Sequence, residues 1–272
     1  MPLDFVKIVT QFRETLQTFK GSVLFVRKHR LWEGFWKYGW VSRLLIIGGL
    51  FMGLKFFSIF FKWLNVFRTS ETAEMMSVVS GMFTDIFEEG YADLFSGGTK
   101  YLMLILLEVI IFHVCRRTLE ILRGRAEADL SFNAFIKAQV RMLKLGLFVW
   151  ILEVVFGALI GIPLSIFGLG FLKPGFIFAV QCYFLGFAVI DNYNEQFGLE
   201  INESLKYTYQ YMGVALAIGI ILYILMLIPI VGPIAGPILA TVTATLVMYK
   251  IAVMPKPKLK EAMATADPEE TV

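Results

Sequence analysis

The feature that most constrains this chain is a succession of long apolar runs separated by short clusters that hold nearly all of its charge. The runs begin near Leu44, Tyr101, Leu145, Pro174, Met212 and Ile238. About 20 apolar residues in a helix match the roughly 30 Å hydrocarbon core of a bilayer, at about 1.5 Å per residue. Inside that core every backbone N–H and C=O must be satisfied within the protein, so runs of this kind fold as helices. Charged residues make up only 17% of the chain and hydrophobic residues 57%, where soluble domains carry about 25% charged residues. Mean hydropathy is +0.70. The stretches between the runs hold too few apolar residues for a soluble core. The predicted class is therefore an all-α integral membrane protein.

Two runs read as full transmembrane helices, at about 44–64 and 101–116. Two others read as Pro/Gly-tipped helical hairpins, at about 145–190 and 212–251. Gly161, Pro163, Gly168 and Gly170 interrupt the first, and Pro174 opens its second arm. The second turns at Pro229–Pro237, an apolar linker suited to burial in protein or lipid rather than to water. Residues 3–38 read as amphipathic and interfacial. Phe5, Ile8, Val9, Phe12, Leu16 and Phe19 recur at helical spacing, and a belt of Trp32, Phe35, Trp36, Tyr38 and Trp40 follows. Residues 126–144 read as a polar helical segment. Residues 1–254 are expected to form one helical membrane domain, and the charged, Pro/Ala/Thr-rich 255–272 a disordered tail.

Basic residues near the runs set the expected orientation. Lys and Arg concentrate in the N-terminal segment, in 116–144 and in 250–260, whereas 65–99 is acidic. The positive-inside bias then places both termini in the cytoplasm. The first twenty positions are punctuated by Asp4, Lys7, Arg13, Glu14 and Lys20 and do not read as a secretory signal.

Enzyme signatures are missing from the sequence. Its two histidines, His29 and His113, and its two cysteines, Cys115 and Cys182, have no metal-ligand spacing. No phosphate-cradling glycine loop and no basic aromatic face for nucleic acid are present. The expectation is a non-enzyme with no metal and no cofactor. The intramembrane ionisable residues are Lys55, Glu108 and Glu153. Each requires a partner or water, because a charge at mid-bilayer costs at least about 2.5–3.5 kcal/mol. Lys55 and Glu108 fall at similar depth if the first two spans are antiparallel. Such a pair serves either as a lock between helices or in conduction. His113, one turn from Arg116 and Arg117, reads as interfacial. The anion-binding candidates are Arg27, Lys28, His29 and Arg30. A guanidinium offers a planar fork to an oxyanion, and the same residues equally suit anionic lipid headgroups.

Four patterns occur in order along the chain. They are Arg27-Lys28-His29-Arg30-Leu31-Trp32 ahead of the first run, the run Phe184–Tyr193 with Asp191 near its end, Tyr211-Met212-Gly213, and Ile228-Pro229-Ile230-Val231-Gly232-Pro233 followed by Ala240–Thr245. Their succession over residues 22–251 resembles the CysZ-like sulfate-uptake family, within the etoposide-induced membrane proteins. The resemblance implies two long spans and two shorter hairpins that enter the membrane incompletely. It also implies a homo-oligomer in the bacterial inner membrane, passage of sulfate, and Asp191 as the acidic motif residue. The functional expectation is a multi-pass channel or permease for a small oxyanion, sulfate first, with the bilayer as its other partner. The alternative is a non-transporting membrane scaffold or lipid-interacting protein.

Overall fold

A computed structural model describes residues 4–33, 99–124, 132–226, 228 and 232–252. Among these residues the regular structure is helical and no strand occurs. Seven α-helices follow in order: α1 Phe5–Lys28, α2 Thr99–Arg123, α3 Phe132–Ile166, α4 Lys173–Glu195, α5 Ile201–Tyr209, α6 Met212–Met226 and α7 Gly232–Ile251. A 3₁₀ turn, Gly170–Leu172, precedes α4. The expected span at 44–64, most of the 65–99 loop and the tail at 255–272 lie outside the described residues.

The chain divides into two compact units. One holds Met1–Leu31, Ile111–Asp129 and Glu153–Val272; the other holds Trp32–Ile110 and Leu130–Leu152. In the second unit, Ala138, Met142, Leu145 and Val149 form one buried stripe along α3, and Leu104, Leu107 and Ile110 are buried on α2. Spacings of three, four and seven residues put such side chains on one helix face.

Among the described residues two helices are long and apolar enough to cross a membrane, Ile136–Ile166 and Gly170–Glu195. They are the arms of the first expected hairpin, and they are longer than its expected bounds of 145–190. The stretch Ile136–Ile166 has 31 residues, about 46 Å of helix, so its length exceeds what partial entry requires. The polar segment expected at 126–144 is not separate, since α3 carries its part from Phe132 onward straight into the apolar run. Nor does the chain break at Gly161 and Pro163. Proline removes a single N–H, and α3 continues through it to Ile166. The chain turns where Gly168 adopts φ +70°, a backbone region open to glycine at little cost. In that turn Phe167, Gly168 and Leu169 donate their N–H groups to Pro163, Ser165 and Leu164. The expected span at 101–116 lies within α2, which runs on to Arg123. The range expected for the second hairpin holds α6 and α7, of 15 and 20 residues, with most of the linker between them outside the described residues.

In the first unit, α4 and α6 cross at glycine. A Cβ on Gly186 would lie 1.8 Å from the Ala215 carbonyl oxygen, and a Cβ on Gly219 would lie 1.8 Å from that of Cys182. Cys182/Gly186 and Ala215/Gly219 are both i, i+4 pairs of small residues, which let two backbones approach closely. Helix α7 is wrapped on nearly every side, with Ala240–Thr245, Val247 and Met248 buried, except for Leu246, which is part-exposed. The hydroxyls of Thr243 and Thr245 bond back to Leu239 and Thr241.

Helix α1 packs on α6 and α7 through a face that carries polar residues. Asp4 caps its start, accepting from the Lys7 N–H at 3.2 Å. Its fully buried residues are Gln11, Thr15 and Ser22, a polar stripe at helical spacing. Phe5, Val6, Val9, Leu16, Val23 and Leu24 face outward. Ile8, Phe12 and Phe19 are half-buried, and the charged Lys7, Arg13 and Lys20 are exposed; interfaces between membrane helices favour small and polar side chains such as the buried three.

Candidate functional site

The basic run at the end of α1 is the first candidate. Arg27 and Lys28 occupy the last turn and are exposed, where cations are favoured by the partial negative charge of the helix C-terminus. His29 is the C-cap. Its N–H bonds to the Phe25 carbonyl at 3.0 Å, and its ring lies 4.5 Å from the Phe25 ring. Gly21, Leu24, Phe25, Arg27, Lys28 and His29 line one recess, which brings three of the four predicted residues together. Arg30 does something else as well. Its φ is +44°, the left-handed conformation that closes a helix. The next N–H, of Leu31, bonds to the Val26 carbonyl at 3.3 Å, and Leu31 is buried. Arg30 therefore ends α1.

The intramembrane candidates lie in different segments of the chain. Lys55 lies outside the described residues. Glu108 is buried on α2 within the second unit, and Glu153 is buried on α3 within the first. Asp191 is buried near the end of α4 together with Asn192, Tyr193 and Asn194. Four consecutive buried residues occupy every side of the helix, so the end of α4 is enclosed. Part of the basic cluster on α2 is engaged locally. Arg116 and Arg117 approach Glu120 at 3.7 and 2.8 Å, and the Arg123 guanidinium lies 4.8 Å above the Phe197 ring.

Sequence reasoning passed over the neutral polar residues. Asn194 donates to the hydroxyls of Ser204 at 2.9 Å and Thr208 at 3.1 Å, which fastens α5 to α4; all three are fully buried. The α5 start carries a capping box in which Glu200 and Glu203 exchange bonds with each other's backbone. Gln11 reaches from α1 to two backbone groups, donating to the Gln210 carbonyl at 2.9 Å and accepting from the Gly213 N–H at 3.1 Å. Around it, the Lys7 ammonium lies 5.8 Å from the Tyr211 ring centroid, and Glu14 pairs with Lys250 of α7. The available signal was the spacing of Gln11, Thr15 and Ser22, three small or neutral polar residues on one face of a helix rich in apolar ones. Among the described residues no cluster of His, Cys, Asp and Glu could hold a metal ion.

Such an arrangement defines a class by architecture alone, a helical bundle with helices fit for a bilayer. Comparison with family models, with curated proteins and with solved structures gives no match in any of the three.

Proposed function

We propose that this chain is a multi-pass protein of the bacterial inner membrane that passes a small oxyanion, sulfate first, as a homo-oligomer with both termini in the cytoplasm. The observation that carries the oxyanion reading is the recess at the end of α1, which Arg27, Lys28 and His29 line. Two cationic side chains and an imidazole supply charge-assisted donors, which suit a tetrahedral anion. The length and apolar character of α3 and α4 support the membrane part. The succession of patterns that resembles the CysZ-like family supports sulfate over other oxyanions.

The test is uptake of labelled sulfate by proteoliposomes, with phosphate and chloride as competitors. Arg30→Gln, Arg30→Lys and Arg27→Gln are compared with the parent at equal reconstituted density. A charge-assisted bond contributes about 1.5–3 kcal/mol, and about 1.4 kcal/mol is tenfold, so the glutamine variants should lose about tenfold or more in flux. Lysine at position 30 should recover only part, because it keeps the charge without the fork. Absence of sulfate flux in the parent would leave the non-transporting scaffold as the better reading, with the basic run as a contact for anionic headgroups. Cysteine labelling tests the orientation. External reagent should reach residues 65–99 and miss the C-terminal tail.

A further inference from the structure

Helices α5 and α6 are separated by only Gln210 and Tyr211, yet their axes differ by 101°. Sharp bends in helical segments have identifiable causes, usually proline, a Gly/Ser pair, a π-bulge or a group inserted into the hydrogen-bond ladder. Tyr209-Gln210-Tyr211-Met212 contains no proline, glycine or serine. Taken together, residues 201–226 pass as a single apolar span, about 39 Å long if straight. Gly213 is the one weak point nearby, and a lone glycine costs a helix only about 1 kcal/mol, so the local sequence still permits a straight helix.

The reason for the turn lies about two hundred residues away. In a continuous helix the Gly213 N–H would bond to the Tyr209 carbonyl, and the Gln210 carbonyl would accept from the Val214 N–H. Here Gly213 donates to Gln11 Oε1 and Gln210 accepts from Gln11 Nε2, while Val214 donates to Tyr211 instead. One side-chain amide thus replaces one backbone acceptor and one backbone donor, and only one orientation of that amide serves both. The fit leaves no slack. A Cβ on Gly213 would lie 2.1 Å from the Ile8 carbonyl oxygen and 2.8 Å from the Gln11 Cβ. Backbone groups freed by a break in a helix need other partners, and α1 supplies both.

We propose that Gln11 is a positioning residue that sets the α5–α6 corner, and that docking of α1 selects the bent form of residues 201–226 over a straight helix. Without Gln11's two bonds, the freed groups regain partners when the chain straightens, Gly213 with the Tyr209 carbonyl and Gln210 with the Val214 N–H. Helix α1 is then a strap whose seating governs the geometry of the α6–α7 hairpin. The inference rests on the fold and holds whether or not the chain passes an anion.

The experiment places spin labels at Asn202→Cys and Ile224→Cys, both exposed positions, in nanodisc-reconstituted protein, and reads their separation by pulsed dipolar spectroscopy. The native Cys115 and Cys182 are buried. At about 1.5 Å per residue the two backbone positions lie about 33 Å apart in a straight helix and about 20 Å apart at the observed bend. The parent should give the short distance. Gln11→Leu, which keeps bulk and removes both bonds, should shift the distribution toward the long one. Gly213→Ala should do the same by pushing α1 off its seat, so two chemically different changes report on one event. Gly21→Ala on α1, with nothing within 4 Å of its Cβ, should keep the parental distance. The parental distance in both Gln11→Leu and Gly213→Ala would overturn the proposal, as would an equal lengthening in Gly21→Ala.

Discussion

Gly186→Ala offers a direct test of how α4 and α6 are held together. The added methyl would sit 1.8 Å from the Ala215 carbonyl oxygen and 2.7 Å from its carbonyl carbon. Ordinary carbon–oxygen contact needs more than 3 Å, so the helices must part by about 1.2 Å or more, an opening that already forfeits a quarter to a half of each pairwise attraction across the crossing. The obstacle is backbone, with no flexible side-chain end to swing aside. Overpacking costs about 1–3 kcal/mol, and this site belongs at the upper end or beyond. Alanine returns up to about 1 kcal/mol through helix propensity. The net loss should be about 2 kcal/mol, or about 4–8 °C in Tm at about 2–4 °C per kcal/mol. Gly219→Ala, which meets the Cys182 carbonyl at the same 1.8 Å, should behave alike. Gly157→Ala and Gly175→Ala meet nothing within 4 Å and should leave Tm equal or slightly raised. Thermal unfolding of the four variants in one detergent decides the matter. If Gly186→Ala and Gly219→Ala melt with the parent, or if the open-site controls fall as far, the close crossing does not hold these helices together.

Asn194→Ala should destabilise the first unit by about 1–3 kcal/mol, because it leaves the buried Ser204 and Thr208 hydroxyls without their shared donor; chemical unfolding with matched detergent measures it. Arg30→Gly should raise stability by about 1 kcal/mol, since φ +44° costs a side chain that much and glycine almost nothing. The same change should still lower sulfate flux in the liposome assay, which separates the backbone role of this position from its guanidinium. Glu14→Gln should cost less than about 1 kcal/mol, and the cost should shrink in high salt, because its pair with Lys250 is largely exposed. Phe171→Cys, at the α3–α4 turn, should react slowly with a charged, water-soluble thiol reagent in proteoliposomes; reaction as fast as at an exposed site in the 65–99 loop would place that turn in water.

Helical class, the apolar runs and the approximate places of α2, α6 and α7 follow from the sequence, because hydropathy and period are local properties. The glycine at the α3–α4 turn was legible too, although Gly161 and Pro163 carried the same signal and α3 runs through both. A proline subtracts one hydrogen bond, and neighbouring bonds decide whether that ends a helix. The candidate residues Arg27, Lys28 and His29 were legible because charge beside aromatic rings stands out in any window. Arg30's left-handed backbone was not, since nothing about arginine announces it.

Which face of α1 turns inward was beyond local reasoning. A period of 3.6 tells that two faces differ, but the surroundings decide which is buried, and here Phe5, Val9, Leu16 and Leu24 face out while Gln11, Thr15 and Ser22 face in. The right angle between α5 and α6 is the clearest case. Its sequence permits a straight helix, and the bend exists because an amide some two hundred positions earlier satisfies the two backbone groups that the bend exposes. Local sequence determined where helices could form; only contacts between distant segments decided which backbone hydrogen bonds a helix would give up.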